Sequence, residues 1–426
     1  MTFEQGRIPP GPAEKYDPSE DLLRWMERQF DRFGSIYRAS IYGTDVYVVS
    51  DPEHVDHVLR INWRNYKKGQ AIKRIGFLLG NGLMVSEGEF WKSQRRMIQP
   101  AFHEAAIGAL LNIISAANIA LLEKWKVAAR DRESVNITSD ISHMVLKVLL
   151  ICIFGDDYEQ VAPHFNILSD ESARNLQFAQ RFRPLGKIVS QVAGQRRKQN
   201  RTATDMLGML MKARDRRNQA MPDSQLVCEV MTLIVAGHET TASTLNWVWH
   251  LLSKSAEAEE KLWSELNAIP ASGSPEIGDL AKFVYTRQVI EETLRLYPAG
   301  WLMTRVALKD DRLGDYLVPA RTEIYISPYL IQRHPAFWEA PDRFNPDRFR
   351  PDELRTRRPM TTLPFSAGPR KCIGESFARI EMQIHLMTIA KHLRLRGTSE
   401  QSIQLEAGVN LRNRHDFIMT PQMIGS

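Results

Sequence analysis

The chain has 426 residues, 43% of them hydrophobic and 25% charged, and a net charge of +6 from 56 basic and 50 acidic side chains. This length and balance support a large buried core and exclude a disordered or fibrous chain. So small a charge excess does not argue for nucleic acid, although a local basic face for an acidic partner is compatible with it.

Only three cysteines occur, Cys152, Cys228 and Cys372, with no CxxC spacing. That pattern excludes a disulfide framework and a structural zinc site and fits a reducing compartment. The N-terminus has no apolar run that could act as a signal peptide or anchor. No window approaches the roughly 20 uninterrupted apolar residues of a membrane span. A soluble, cytoplasmic protein without a membrane anchor is expected.

In chain order, a proline-rich start leads to a helix over about 19–33. Strands over 34–43 and 45–50 follow, joined at Gly43-Thr44. Asp51-Pro52-Glu53 opens a further helix, with proline at a first-turn position. From about 88 to 395, apolar residues recur at helical spacing. Strand-like pieces interrupt this pattern at 315–319 and 322–327, and another follows at 417–420. No repeat or low-complexity linker divides the chain, so the expected fold is mainly α with a small β region, in a single large domain.

Trp91 and Arg95 stand one helical turn apart, an indole and a guanidinium able to clamp a carboxylate. Lys92 and Arg96 fall on the adjoining, exposed face. A long apolar helix over about 224–252 carries Ala236-Gly-His-Glu-Thr240 at its middle. Gly237 and Ala236 remove bulk there, so that something flat can come close. Thr240 can bond back to the helix carbonyls, and Glu239 beside it makes an acid–alcohol pair suited to proton delivery. His238 is either a packed histidine or a metal ligand. Farther on, Glu291 and Glu292 lie four and three residues before Arg295, and spacing does not choose between them. Arg348 lies between Phe344 and Phe349. If it joins that acid and Arg295, the three form a buried structural network.

The sequence then reaches Phe365-Ser-Ala-Gly-Pro-Arg-Lys-Cys-Ile-Gly374, followed directly by a helix start. A cysteine at a helix N-terminus is biased toward thiolate. Glycines at 368 and 374 permit backbone shapes, or a close approach, that a Cβ would block. Taken alone, Cys372 is either a metal thiolate or a structural cysteine. Cys152 and Cys228 lie in helical stretches and read as packing residues.

With these residues in place the chain resembles the cytochrome P450 family over essentially its whole length. The cysteine loop matches F-x-x-G-x-R-x-C-x-G in full at Phe365, Gly368, Arg370, Cys372 and Gly374. The resemblance implies a mostly α fold in four parts. These are a β-containing part over about 1–65, a helical core over about 66–300, a meander and cysteine loop over about 335–375, and a C-terminal helix and β region over about 375–426. It implies that Cys372 is the axial thiolate of a haem b iron. Trp91, Arg95, Arg305 and Arg370 would hold the propionates, with Ala236 and Gly237 over the distal face. It further implies that Glu239 and Thr240 manage water and proton delivery to dioxygen. It selects Glu292 over Glu291 as the partner of Arg295 and Arg348 in a triad supporting the loop. Leu233, Ile234, Val235, Gly300, Trp301, Leu302 and Leu411 would line a hydrophobic substrate pocket. Arg412, Arg414 and His415 either meet an anionic group or are solvated.

The implied reaction inserts one oxygen atom of dioxygen into a hydrophobic small molecule. Alternatives are a haem-thiolate isomerase or dehydratase that needs no dioxygen, or a non-catalytic haem sensor. The intact Glu239-Thr240 pair argues against both. With no flavin or iron–sulfur domain read in the chain, electrons are expected from an acidic ferredoxin or flavodoxin with its NAD(P)H-dependent reductase. That partner would dock on a monomer near Lys92, Arg96 and Lys371. The stretch between Gly155 and Asp205 is short for the family's two lid helices and is basic at Arg181, Arg183 and Arg196-Arg197-Lys198, so an abbreviated, open lid is expected.

Overall fold

Tyr42 (φ 50°) and Gly43 (φ 75°) close the first hairpin with two consecutive left-handed residues, which a two-residue turn matched to strand twist demands. The turn therefore falls one residue before the expected Gly43-Thr44 junction. Its strands are Ile36–Ile41 and Thr44–Val49, with Ile36 opposite Val49. The preceding helix is Leu22–Phe33, capped by the Asp21 carboxylate on the Arg24 N–H. The structure, a computed structural model, describes residues 7–169, 182, 184–201, 203–269, 276–397 and 403–424. Arg181 and Arg183 lie outside them, as does most of the chain between helices Tyr158–Phe165 and Leu185–Lys198. The expected short lid therefore falls largely outside the described residues.

Two compact units, interleaved along the chain, make up the structure. The first comprises Met1–Lys73, Glu291–Cys372 and Gln404–Arg414. Its five-stranded sheet runs, in spatial order, Ile36–Ile41, Thr44–Val49, Glu323–Ile326, Met303–Ala307 and Tyr66–Lys68. Thr44–Val49 pairs with Glu323–Ile326 in parallel and every other pair is antiparallel. All four residues of Glu323–Ile326 are buried, as a strand covered on both faces requires. One face packs Tyr16, Trp25, Tyr37, Trp301 and Leu411. The other packs Tyr47, Leu59, Tyr66, Ile324 and Leu363. Strand Met303–Ala307 was not among the strands expected from sequence, because Arg305 interrupts its apolar pattern.

The second unit comprises Arg74–Ile290, Ile373–Ile403 and His415–Ser426. Its spine is the 31-residue helix Asp223–Ser253, within a residue of the expected bounds. Helix Ile137–Phe154 lies close against it: a Cβ on Gly237 would stand 3.2 Å from the Leu149 side chain. Trp249 on the spine donates its indole N–H to His385 Nε2 at 2.8 Å, and His385 Nδ1 meets Asn118 Oδ1 at 2.7 Å. That chain ties helix Glu375–Ile389 to the spine and to helix Leu111–Asp131. Burial lowers the His385 pKa to about 3, so the ring is neutral, accepting at Nε2 and donating at Nδ1. A three-stranded sheet of Val135–Asn136, Ile418–Met423 and Leu393–Gly397 closes the unit.

Among the described residues, one run, Ile137–Leu168, is long and apolar enough by length and composition to cross a membrane, and 61% of its most apolar window is buried inside the protein. The expectation concerned an uninterrupted apolar window, which this run is not. Averaging along the helix tolerates Asp140 and Lys147, which interrupt a strictly apolar run.

Glu381, on helix Glu375–Ile389, is 1% exposed, and its Oε1 has no hydrogen-bond partner among the described residues. Burial pushes its carboxyl from the ordinary 4.5 up to about 8. The folded state therefore holds a proton that the unfolded chain releases. This contribution is fully present below pH 4.5 and is lost as pH rises through about 8. The whole swing is about 5 kcal/mol, at about 1.4 kcal/mol per pH unit. Glu381→Gln should flatten the fall in urea-unfolding stability between pH 5 and 8, opening a gap of several kcal/mol over the parent at the alkaline end. Parallel profiles would show instead that the carboxyl is ionised in the folded protein.

Candidate active site

In the first unit, residues 365–372 form a tight loop. Ser366 (φ 62°) and Gly368 (φ 69°) are left-handed. A Cβ on Gly368 would stand 2.0 Å from the Leu59 carbonyl oxygen. Glycine is required here by the chain's own backbone as well as by its φ. The Cys372 N–H donates to the Phe365 carbonyl at 2.9 Å, and the Lys371 N–H donates to the Gly368 carbonyl at 3.0 Å. These bonds hold the loop while leaving the Cys372 side chain exposed. Gly374 is the N-cap of helix Glu375–Ile389.

The loop is braced from behind. Leu363, just before it, donates its N–H to Gln332 Oε1 at 2.7 Å. Gln332 Nε2 donates to the Leu294 and Arg295 carbonyls at 3.0 and 2.9 Å. Gln332 thus joins the loop to the end of helix Val284–Leu296. There Arg295 holds Glu292 through two bonds of 2.7 and 2.8 Å, both side chains fully buried. Arg295 also donates to the Gln332 and Pro341 carbonyls at 2.8 and 2.7 Å and lies over Trp338, 4.8 Å from the ring centre. Glu292 accepts the Asn345 N–H at 2.9 Å and has Arg348 Nε at 3.5 Å. Glu292, not Glu291, is therefore the carboxylate that takes Arg295. Burial lowers the Arg348 pKa from its ordinary value, opposed by Glu292. Gln332, Asn345 and Trp338 were not singled out from sequence, because a glutamine after an apolar run and an aromatic in a loop carry no pattern of their own.

Arg305 is buried on strand Met303–Ala307, opposite Ile324 and Lys68, and donates to the Thr304 carbonyl at 2.8 Å. Two residues expected in a substrate wall pack elsewhere. Trp301 is buried in a core cluster with its indole N–H on the Gly408 carbonyl at 2.9 Å, and Leu411 in the same cluster has no exposed surface. Gly300 is exposed and Leu302 half-buried.

In the second unit, Trp91 is buried on helix Gly88–Ile98, with the Arg95 guanidinium 5.9 Å from its ring centre. Lys92 pairs with Glu89, and Arg96 is exposed. The helix Asp223–Ser253 is buried on most faces, yet Val235, Ala236, Gly237, Glu239 and Thr240 keep part of their surface. This leaves a partly exposed notch halfway along a core helix, apolar at Val235–Gly237 and polar at Glu239 and Thr240. The Thr240 hydroxyl donates to the Ala236 carbonyl at 2.6 Å, and Thr244 repeats the pattern on the Thr240 carbonyl at 2.8 Å. One expectation changes here, that of Leu233 and Ile234 as walls, and one open choice, that of His238, is settled. A Cβ on Gly237 would press on the Leu149 side chain, so helix packing by itself also favours a small residue there. Ile234 has no exposed surface and Leu233 almost none, so of that trio only Val235 can wall a cavity. His238 is buried, with Nε2 3.0 Å from both the Ser142 hydroxyl and carbonyl oxygens; it donates to that carbonyl and is a packing residue.

Removing one member of a buried ion pair leaves the other charge uncompensated, at a cost of about 3–5 kcal/mol. Glu292→Ala, which strands Arg295, should lower the stability measured by urea unfolding by that amount and speed amide exchange at Leu363. A loss below about 1 kcal/mol would show that the pair is hydrated in solution.

The chain matches the family model for cytochrome P450 over residues 11–185 and 161–419. It is 31% identical over 385 residues to a cyclooctat-9-en-7-ol 5-monooxygenase of Streptomyces melanosporofaciens, covering 85% of this chain and 83% of that one. It is 29% identical to a pentalenene oxygenase of Streptomyces avermitilis, with 85% and 84% covered. Among solved structures, retinoic acid-bound cyanobacterial CYP120A1 superposes with a TM-score of 0.89 at 23% identity, covering 99% of this chain and all of that one. The chain belongs to the cytochrome P450 family, as an oxidoreductase of the monooxygenase class.

Proposed function

We propose that this P450 inserts one oxygen atom of O2 into a hydrocarbon-rich, terpenoid-type small molecule, with haem b held by Cys372. The observation that carries the reading is the Cys372 side chain, exposed on a loop whose backbone is fixed at Phe365, Gly368 and Leu363. No group of three or more His, Cys, Asp or Glu gathers among the described residues. Iron held by a single protein thiolate fits a macrocycle that completes its coordination. The exposed apolar notch at Val235–Gly237 suits a flat group in the same way.

When bound, the haem supplies the redox chemistry by which RH, O2, two electrons and two protons give ROH and water. Cys372 would present its thiolate from the braced loop. Trp91, Arg95, Arg305 and Arg370 would bind the two propionates. Thr240 donates to Ala236, so its Oγ1 lone pairs remain free to accept from a water. Glu239, one residue earlier and half-buried, would pass protons along that route. Val235 and Leu302 would wall the substrate and keep water out. The substrate class is supported by the relatives, whose names denote oxygenases of cyclooctat-9-en-7-ol and pentalenene, and by the retinoic acid in the structural neighbour. Lys92, Arg96 and Lys371 would attract an acidic ferredoxin or flavodoxin.

The test is a system reconstituted with a surrogate ferredoxin and its reductase. The reduced parent protein should give the carbon-monoxide band of thiolate haem, and Cys372→Ala should lose it; a surviving band would remove Cys372 as ligand. Thr240→Ala should keep the band but divert most of its electrons to peroxide, whereas unchanged coupling would remove Thr240 from proton delivery. Reduction should slow as salt is raised, and salt-independent reduction would exclude an acidic partner.

A further inference from the structure

A segment just before the tryptophan helix is fastened to the spine helix through one buried carboxylate. Glu229 has no exposed surface. Its Oε2 accepts the Leu83 N–H at 2.8 Å, and its Oε1 accepts Gln225 Nε2 at 2.7 Å. The same Gln225 nitrogen donates to the Asn81 carbonyl at 3.0 Å. Two glycines let the backbone lie this close. A Cβ on Gly80 would stand 2.5 Å from Cys228 Sγ. One on Gly82 would stand 2.1 Å from Thr232 Oγ1 and 2.7 Å from the Cys228 carbonyl oxygen. Gly80 is also left-handed, at φ 65°. The segment then turns back on itself, Val85 and Ser86 both donating to the Gly82 carbonyl at 2.9 Å.

Glu229, Thr232, Ala236 and Thr240 are spaced three and four apart and share one face of the helix. The segment covers that face around 228–232. The partly exposed notch opens about one turn farther on, at Val235 and Ala236. Glu229 stands about 10 Å, two turns, before Ala236. The residues that follow the fastening, Met84 and Val85, are half-buried, as Val235 and Ala236 are.

We propose that Glu229 is a positioning residue for substrate selection: by holding residues 81–86 on the spine helix it fixes the rim of the reaction chamber and so sets the size of ligand admitted, without touching the ligand. This rests on the reading of the Ala236–Thr240 face as that chamber. Glu229→Leu removes both acceptors, Glu229→Gln keeps an acceptor oxygen for Leu83, and Gly82→Ala wedges the segment from its own side.

The haem-loaded protein is tested in two ways, by hydrogen exchange at the Leu83 amide and by spectral titration with a small azole, imidazole, and a bulky one, clotrimazole. In Glu229→Leu the Leu83 amide should exchange at least tenfold faster. The ratio of the two azole dissociation constants should shift at least fivefold, with the carbon-monoxide band retained. Glu229→Gln should stay near the parent in both readouts. If Glu229→Leu does not fold, Gly82→Ala should reproduce both changes. Unchanged Leu83 exchange would overturn the anchor, and faster exchange with an unchanged azole ratio would overturn the role in selection. A parent protein that shows no azole shift at all, while Leu83 exchange still responds to the substitution, would overturn the haem reading and the selection role with it.

Discussion

The buried pair of Glu292 and Arg295 is the constraint on which the cysteine loop depends. Its bidentate geometry leaves neither partner a route to water, so the desolvation cost of both charges is met only while every bond is made. The guanidinium has donors to spare, and it uses them on the Gln332 and Pro341 carbonyls. Those are backbone atoms of segments with little regular structure of their own. The pair therefore orders irregular chain that has no ladder or helix to order it. Gln332 extends the effect, accepting from Leu363 and donating to the helix end that carries Arg295. A thiol can be exposed on a loop and still be held in place because the rigidity lies behind it.

The second unit solves a different problem. A helix as long as Asp223–Ser253 runs through a core and yet carries polar side chains at its middle. The hydroxyls of Thr240 and Thr244 are satisfied by carbonyls one turn back, and His238 by Ser142. At the middle of the helix, Val235, Ala236, Gly237, Glu239 and Thr240 keep part of their surface, where side chains are small or can exchange protons. Elsewhere in the unit, the buried chain Trp249–His385–Asn118 holds three helices together, and burial keeps its histidine neutral near pH 7.

Much of this was legible in the sequence because it is local. Helix and strand periods, the Asp21 and Asp51 caps, the run from Phe365 to Gly374 and the Glu-x-x-Arg spacing are all set by residues within a few positions of one another. What was misread depended on neighbours distant in the chain. Trp301 and Leu411 looked like pocket walls because they are apolar and near turns, but both complete a core cluster. Gln332, inconspicuous in its stretch, proved central because Leu363 and the adjacent Leu294 and Arg295 carbonyls, all distant from it in sequence, meet its amide.

The sequence by itself determined the class of fold, the identity of the exposed thiol and its loop, and the family, since each is written in contiguous residues or fixed spacings. Only the tertiary structure decided that Gln332 ties the cysteine loop to the helix end, that Gly368 is required by the Leu59 carbonyl, and which part of the long helix stays open. Those choices turn on which atoms meet after the chain has passed several times between two interleaved units. A spacing rule describes one helix face but says nothing about what is packed against it.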